Sequence, residues 1–281
     1  MNNIMDTLSP SGKPLSDEEL MNLLIKVRRG ELSPEEAEQL LSGLPELEAD
    51  AGPDLSGPAE PTSECGDSGR QSEGYAASAP LGQARHGTLI LDTLAAYFTL
   101  NSAALGADLF QAHYTRSLPS VWVDGSTVTA RFNYFSWGAL REWLRQQQGD
   151  HPRAEFTLNA AIPWQLELHS HMSNLMVNLR GVQLAGLEGN GSMNNITLIL
   201  DQPKGDVPIH YDAIASSFEV NCPAQCPLRV EVLGNTNAAD VGGRKFASKS
   251  AWQTPDFDTS PDRYSIVFSG EASSLSVTYN N

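Results

Sequence analysis

Residues 164–200 read WQLELHSHMSNLMVNLRGVQLAGLEGNGSMNNITLIL, and this stretch decides the fold. Apolar and polar residues alternate within short runs, as in residues 164–168 and 175–179. Alternation with a period of two places one side of a strand on a core and the other side in solvent. We therefore expect pairs of short β-strands, and each pair is joined by a turn of small polar residues.

The same unit recurs toward the C-terminus. The second strands of successive pairs begin at Leu175, Ile196, Phe218 and Ala239, at intervals of 21, 22 and 21 residues. A further second strand begins at Leu275, after a longer segment. A repeat of about 20 residues built of short strands is typical of a solenoid, in which stacked neighbours supply the core. The sequence therefore predicts a mainly β fold, a β-solenoid, with a β-sandwich as the alternative.

The rest of the C-terminal segment shows the same alternation. One helix is predicted near residues 137–147, and we expect its stripe of Trp and Leu side chains to pack on the β-domain or to dock a partner. We assign residues 86–281 to a β-solenoid domain with this helical insert. The additional strands are predicted at residues 89–91, 97–100, 121–123, 128–132 and 156–158.

Residues 16–44 predict a small N-terminal α-helical hairpin. Ser16 and Glu19 form a capping box at the start of the first helix. Ser33 followed by Pro34 is typical of the start of a second helix. Helices this short need a partner surface to be stable. We therefore predict that the hairpin docks a protein partner through its apolar side chains, Leu20, Leu23, Leu24, Val27, Leu40 and Leu41.

Two segments lack apolar periodicity. Residues 45–85 are rich in Pro, Gly, Ser, Glu and Asp. Such a composition buries too little apolar surface to offset the entropy of the chain. We therefore predict a disordered N-terminus at residues 1–15 and a disordered acidic linker at residues 45–85, which tethers the hairpin to the β-domain.

The net charge of −16 limits the partners. Residues 1–85 carry 16 acidic and 6 basic residues, and the remainder carries 18 and 12. An acidic surface repels phosphate backbones and anionic lipids, so we expect no nucleic-acid partner and at most indirect membrane contact. The first 16 residues do not resemble a signal peptide, and no run approaches the roughly 18 apolar residues of a spanning helix. We therefore expect a cytoplasmic protein, with recruitment to the inner face of the cell membrane as a further option.

Motifs of known catalytic sites are missing from the sequence. It contains no G-x-x-x-x-G-K-[ST], H-E-x-x-H or G-x-S-x-G pattern. We therefore predict no catalytic residues, no cofactor and no enzyme activity. His169 and His171 have the spacing to meet one metal, with His210 and Asp212 as neighbours. We interpret them as solvated turn histidines and predict no metal site.

Other polar residues have structural interpretations. Cys222 and Cys226 are separated by three residues, a spacing that no common zinc or redox motif uses. We interpret them as small residues at strand ends, with a disulfide or metal site as the alternative. Glu167, Glu219 and Glu231 are predicted to point into solvent. A polysaccharide-processing enzyme would instead need carboxylates that converge with basic residues.

Five segments carry a resemblance to a known family: Ile162-Pro-Trp164, residues 175–184, Pro203-Lys-Gly-Asp-Val207, Asp262-Arg-Tyr264 and Gly270-Glu-Ala-Ser-Ser274. Through them the chain from about residue 87 resembles the bacterial toast-rack, or putative-adhesin, β-solenoids, which include the C-terminal domains of cell-wall-active antibiotic response proteins. The resemblance implies the solenoid fold and no catalytic residues. The family places a Gly-Gly-Ala-Ser turn between paired strands, and here that pattern is reduced to Gly191-Ser192, Ala215-Ser216 and Ala272-Ser273.

Residues 24–37 resemble the SHOCT-like helical hairpins that are attached to such domains. Together the two resemblances imply a role in bacterial envelope-stress sensing or scaffolding. We therefore expect a non-enzymatic scaffold or protein-interaction module. One alternative is a self-assembling solenoid, which would form homo-oligomers. The other is a protein that binds or processes envelope polysaccharide.

Overall fold

Alternating apolar residues form strands throughout the described chain. The computed structural model describes residues 74–94, 96–115, 120–132 and 153–280, together with Lys26 and Leu32. The strands are β1 (Gly74–Pro80), β2 (Gly87–Leu94), β3 (Tyr97–Ala103), β4 (Asp108–Thr115), β5 (Ser120–Asp124), β6 (Thr127–Arg131), β7 (Arg153–Asn159), β8 (Trp164–His171), β9 (Asn174–Asn178), β10 (Leu184–Ser192), β11 (Asn195–Ile199), β12 (Asp206–Ile214), β13 (Ser217–Pro223), β14 (Leu228–Asn235), β15 (Ala238–Val241), β16 (Arg244–Phe246), β17 (Ser250–Gln253), β18 (Arg263–Glu271) and β19 (Ser274–Asn280).

By its contacts the chain divides into two units. All of these strands belong to the unit formed by Arg70–Asn133 and His151–Asn281, which we call the β-unit. Lys26 and Leu32 are the described residues of the other unit, and Lys26 is helical. Apart from these two residues, the predicted hairpin lies outside the described residues, as do the predicted disordered N-terminus and the helical insert near residues 137–147.

The described strands of the β-unit form two sheets. One has ten strands in the order β1-β4-β7-β3-β9-β11-β13-β19-β15-β16, and the other has nine in the order β17-β14-β18-β12-β10-β8-β2-β6-β5. Each strand pair of the repeat places its first strand in the nine-stranded sheet and its second strand in the ten-stranded sheet. Neighbouring pairs therefore meet as parallel strands within both sheets, as in β8 with β10 and β9 with β11.

The buried side of each sheet consists of columns of apolar residues that are register partners. Because the pairing is parallel and in register, equivalent residues of successive pairs stack on one another. The two sheets share this core, where the rings of Tyr211 and Phe218 stack with centroids 4.8 Å apart. One column of the nine-stranded sheet is Leu89, Leu166, Leu187, Ile209 and Ile266. One column of the ten-stranded sheet is Leu100, Val177, Leu198, Val220 and Val277.

The order of the strand pairs in space departs from their order in the chain. The pair β18–β19, which is last in the sequence, lies between β12–β13 and β14–β15. β18 pairs in parallel with both β12 and β14, and β19 pairs with both β13 and β15. Nothing in the repeat spacing signals this exchange, because the spacing records only the order along the chain.

Antiparallel strands stand at the edges of both sheets. β1 and β5 are edge strands at one end, and β16 and β17 are edge strands at the other. β16 and β17 come from the longer segment that precedes Tyr264. The edge strand β16 carries exposed Arg244 and Lys245. Charged side chains on an edge strand hinder pairing with another chain.

The expectation of a mainly β C-terminal domain is confirmed. Its predicted start requires a correction, because β1 lies within residues 45–85, which we predicted as a disordered linker. The sequence of β1, Gly-Tyr-Ala-Ala-Ser-Ala-Pro, is rich in residues that rarely favour strands, and its pairing with β4 defines it instead.

Candidate binding faces

Four of the repeated strand pairs, β8–β9, β10–β11, β12–β13 and β18–β19, turn their corners on a buried polar residue that is at most 5% exposed. In this corner ladder, the backbone amide of one pair donates to the side chain of the next pair. The amide of Ser173 donates to Asn194 Oδ1 at 3.0 Å, and the amide of Asn194 donates to Ser216 Oγ at 3.1 Å. The amide of Ser216 donates in turn to Ser273 Oγ at 3.1 Å. The ladder therefore satisfies amides that the tight turns remove from the sheets.

The family-like turn residues are displaced in one repeat. Ala215-Ser216 and Ala272-Ser273 lie at corners, with φ of 50° and 49° at the two alanines. Gly191-Ser192 instead ends β10, and Met193-Asn194 occupies the corner, with φ of 55° at Met193. Asn194 is longer than serine, and its amide nitrogen also donates to the carbonyl oxygen of Ser170 at 2.6 Å. The corners are therefore structural, because their polar groups are occupied by one another.

The outward side of the nine-stranded sheet is rich in ionisable groups. We call this surface the charged face. His210 Nδ1 lies 3.1 Å from Glu188 Oε1, and Arg131 Nε lies 3.1 Å from Asp92 Oδ2. Its exposed or half-buried residues on the four strands β2, β8, β10 and β12 include Asp92, Glu167, His169, His171, Glu188, Asn190, His210 and Asp212.

The prediction of turn histidines is wrong, because β8 continues through His169 and His171 to its end. The two side chains share the outward side of the strand and bond to different partners. His169 Nδ1 lies 3.1 Å from Asn190 Nδ2, and His171 Nδ1 lies 2.9 Å from Ser192 Oγ. Partial burial lowers the pKa of His171, and the nearby Asp92 carboxylate opposes that shift. No group of three His, Cys, Asp or Glu residues within the described ranges could hold a metal ion.

The three glutamates predicted to point into solvent are all half-buried and outward-facing, but they do not share one surface. Glu167 and Glu231 lie on the charged face, in β8 and β14. Glu219 lies in β13, on the outward side of the ten-stranded sheet. Their carboxylates therefore do not converge in the manner that a two-carboxylate glycoside hydrolase needs.

The outward side of the ten-stranded sheet has a different chemistry. We call its five adjacent parallel strands, β3, β9, β11, β13 and β19, the amide face. Glu219 is the one charged residue at the outward positions of these strands. Tyr97 and Met176 are the most exposed large apolar side chains there, at 41% and 43%. The polar outward residues are Thr99, Asn101, Asn174, Asn178, Asn195, Thr197, Ser217, Asn221, Ser274, Ser276 and Thr278.

The side chains of the amide face are ordered by bonds between neighbouring strands. Asn195 Nδ2 donates to Asn174 Oδ1 at 2.9 Å. Thr278 Oγ1 donates to Asn221 Oδ1 at 2.7 Å. Each amide has a second N–H and a carbonyl oxygen with two lone pairs. The face therefore presents donors and acceptors on strands about 4.8 Å apart. No motif in the sequence indicated this surface, because it forms only when the repeats stack.

Cys222 and Cys226 are both buried free thiols, so they do not form the disulfide that the sequence left open. Burial raises the pKa of the Cys226 thiol to about 12 and raises that of Cys222 further. Thiols held in the protonated form are poor nucleophiles and poor metal ligands. The pair is therefore part of the core rather than a reactive site.

The predicted docking residues of the hairpin lie outside the described residues, so their role stays a prediction: Leu20, Leu23, Leu24, Val27, Leu40 and Leu41. Among the described residues, no helix has the length and apolar character needed to cross a bilayer.

Comparison with known proteins finds a solved structure of similar fold but no family. No family model and no curated protein matches the chain. A solved structure described as a "putative cell adhesion protein" from Clostridium sporogenes is similar, with a TM-score of 0.59 and 11% sequence identity. The match covers 75% of this chain and 100% of that chain. The two chains share a β-rich fold. At this identity the likeness concerns the fold alone.

Proposed function

We propose that this protein is a non-enzymatic interaction module that brings binding partners together. The observation that carries the proposal is the pair of wide outward faces on parallel strands held in register. Each inner strand is hydrogen-bonded on both sides, and such preorganised surfaces lose little entropy on binding. The shared fold with a protein described as a "putative cell adhesion protein" supports this role by analogy.

We assign the β-unit to the β-solenoids of the toast-rack type. Three features support this assignment. Successive strand pairs stack in parallel and in register. The repeat spacing is 21 or 22 residues. Ala-Ser dipeptides occupy two of the buried corners. A solenoid of this kind derives its core from nearest-neighbour contacts, which leaves long faces free for binding.

The N-terminal hairpin is the second binding element of the proposal. Its predicted apolar side chains dock a protein partner, while the linker lets the β-unit search nearby space, which raises the local concentration of each element. In this role the protein acts in bacterial envelope-stress signalling, and the partner recruits it from the cytoplasm to the inner face of the cell membrane. The SHOCT-like sequence of residues 24–37 supports this part of the proposal.

Deletion of residues 1–44 tests the hairpin. We expect the shortened chain to lose its co-purifying protein partner and its membrane-associated fraction, while the unfolding transition of the β-unit is unchanged. Within the full-length chain, Leu23→Gln should weaken the interaction. Lys26→Gln is the matched control, since Lys26 is helical and exposed. Identical partners for the full-length and shortened chains would contradict the docking role.

Self-assembly through the sheet ends is the less favoured alternative. The edge strand β16 is only three residues long and carries Arg244 and Lys245. Short, charged edges hinder strand addition. A solenoid that polymerises end to end would grow with concentration. We therefore expect the same particle mass at low and high protein concentration, measured by light scattering.

A further inference from the structure

We infer that the amide face binds a neutral polysaccharide chain. This inference rests on the proposed interaction role and names the ligand class of the β-unit. The juxtaposition that carries it is an exposed aromatic ring beside a regular array of amides and hydroxyls on five adjacent parallel strands.

The charge distribution selects a neutral ligand. The protein carries a net charge of −16, yet the outward positions of the five strands include one carboxylate, Glu219. The charged face carries many of the acids and histidines, and on the ten-stranded sheet Arg153 and Glu155 of the neighbouring strand β7 border the amide face. Desolvating a charge costs far more than desolvating a hydroxyl or an amide that regains a hydrogen bond. A ligand rich in uncharged hydroxyls therefore binds with the smallest desolvation cost on a surface that has few charges.

The polar groups match the repeating character of such a polymer. Asn174 and Asn195 are register partners, and the hydrogen bond between their amides leaves three side-chain N–H groups and several lone pairs for other partners. Thr197 and Ser276 are the two register partners of Glu219, so hydroxyls flank the one carboxylate of this face. A chain that lies across the strands meets equivalent groups about every 4.8 Å. Many weak contacts then act together, because each one raises the local concentration for the next.

Tyr97 supplies the apolar contact that sugar rings use. Its side chain is 41% exposed in β3, next to Asn174 of β9. A tyrosine combines a ring that can stack with a hydroxyl that can hydrogen-bond, so it suits ligands that have both apolar and polar sides. Met176 lies in β9, two residues after Asn174 and on the same side of the sheet, and it extends the apolar patch.

The same face is less suited to a protein partner. Protein interfaces concentrate aromatic residues, Met and Arg in a central apolar area. On the amide face the large apolar side chains are few and are separated by amides and hydroxyls, as Tyr97 is from Ile199. A polar polymer that bonds at each step is therefore the better fit.

Affinity electrophoresis of the full-length protein tests the inference. The native gels contain mixed-linkage β-glucan, dextran or galactomannan, with acidic polygalacturonate as the contrast. We expect at least one neutral polysaccharide to retard the protein, and polygalacturonate not to. Tyr97→Ala and Asn195→Lys should each weaken retardation roughly tenfold, which corresponds to loss of one stacking or polar contact.

Asn190→Lys is the matched control for Asn195→Lys. Both asparagines are exposed, and each bonds to the neighbouring strand, but Asn190 lies on the charged face. All variants should keep the wild-type unfolding midpoint, and Asn190→Lys should keep wild-type retardation. The inference is overturned if no neutral polysaccharide retards the protein, or if the two lysine variants behave alike. It is also overturned if Asn195→Lys affects only the capture of the hairpin's protein partner.

The two proposals fail separately. If the wild type binds no neutral polysaccharide, the polysaccharide inference fails. The deletion of residues 1–44 still tests the docking role of the hairpin independently. Conversely, if the hairpin captures no partner, the docking role fails, but the polysaccharide inference can still hold. Deletion of residues 1–44 removes no strand of the amide face, so the shortened chain should be retarded in the gel like the full-length chain.

Discussion

At the scale of single residues, a buried serine of the corner ladder should contribute more to the free energy of unfolding than an exposed serine beside it. Ser216 Oγ accepts from the Asn194 amide at 3.1 Å and donates to the Ile214 carbonyl oxygen at 2.9 Å. Ser216→Ala leaves that buried amide without its acceptor. We expect the free energy of unfolding to fall by about 1–3 kcal/mol, measured by denaturant titration. Ser217→Ala, at the exposed neighbouring position, should change it by less than about 0.5 kcal/mol. Equal losses in both variants would mean that the ladder is not what stabilises the corner.

His171 makes the stability of the β-unit depend on pH. Burial lowers its pKa below the ordinary value, against the opposing charge of Asp92, so the native state prefers the neutral ring. The stabilisation is complete above the ordinary histidine pKa of about 6.5 and is lost as the pH falls through the lower native value. We expect the wild type to lose more stability than His171→Asn between about pH 7 and pH 5.

Denaturant titration across that pH range measures the effect. His86→Asn is the control, because it removes an exposed histidine and shows how such a loss by itself changes the pH profile of stability. Parallel pH profiles for the wild type and His171→Asn would show that the partly buried ring does not titrate with folding.

At the scale of elements, β10 contains three glycines, and two of them, Gly186 and Gly191, differ in how well they tolerate a side chain. A Cβ at Gly191 would lie 1.9 Å from the backbone oxygen of Ser170 and 2.5 Å from Asn194 Nδ2. A Cβ at Gly186 meets mainly the end of the flexible Gln165 side chain. We expect Gly191→Ala to lower the free energy of unfolding by about 1–3 kcal/mol or more, since the strands must separate to admit the methyl group.

Gly186→Ala is the control and should have an effect below about 1 kcal/mol, because alanine also reduces the entropy of the unfolded chain. Thermal unfolding of both variants gives the comparison. A Gly191→Ala chain as stable as the wild type would show that β8 and β10 can move apart without cost.

Strands with strong alternation could be predicted from the sequence, and weakly patterned strands could not. Residues 164–168 and 175–179 alternate cleanly and lie in β8 and β9. β4 was missed because Ala112 and Gln111 blur its pattern, and antiparallel pairing with β1 and β7 stabilises it. A tertiary contact of this kind has no local signature.

At the scale of the whole molecule, the inserted pair β18–β19 predicts how the chain fails when it is shortened. Without residues 263–281, β14 retains only β17 as a partner, and β15 retains only β16. An isolated two-stranded sheet is marginal in water. We expect residues 228–262 of the shortened chain to be cleaved rapidly in limited proteolysis, whereas the full-length chain resists. A protected segment 228–262 would contradict the observed pairing.

The candidate faces belong to the whole molecule as well, which limits what the sequence could reveal about them. Outward positions such as Glu167 and Glu231 follow from alternation in single strands. Their placement on one sheet, and that of Glu219 on the other, follows from which strand of each pair enters which sheet. The order of the pairs is likewise unreadable from the repeat, because equivalent apolar columns accept their neighbours in either order.

The position of β18–β19 also bears on protein synthesis. A ribosome releases the N-terminal strand pairs first, and domains commonly begin to fold as they emerge. Here the gap between β12–β13 and β14–β15 stays open until residues 263–280 have been synthesised. A chain released before residue 263 would thus have unpaired strand edges in the middle of both sheets. Synthesis through β18 and β19 is therefore a requirement for closing the two sheets.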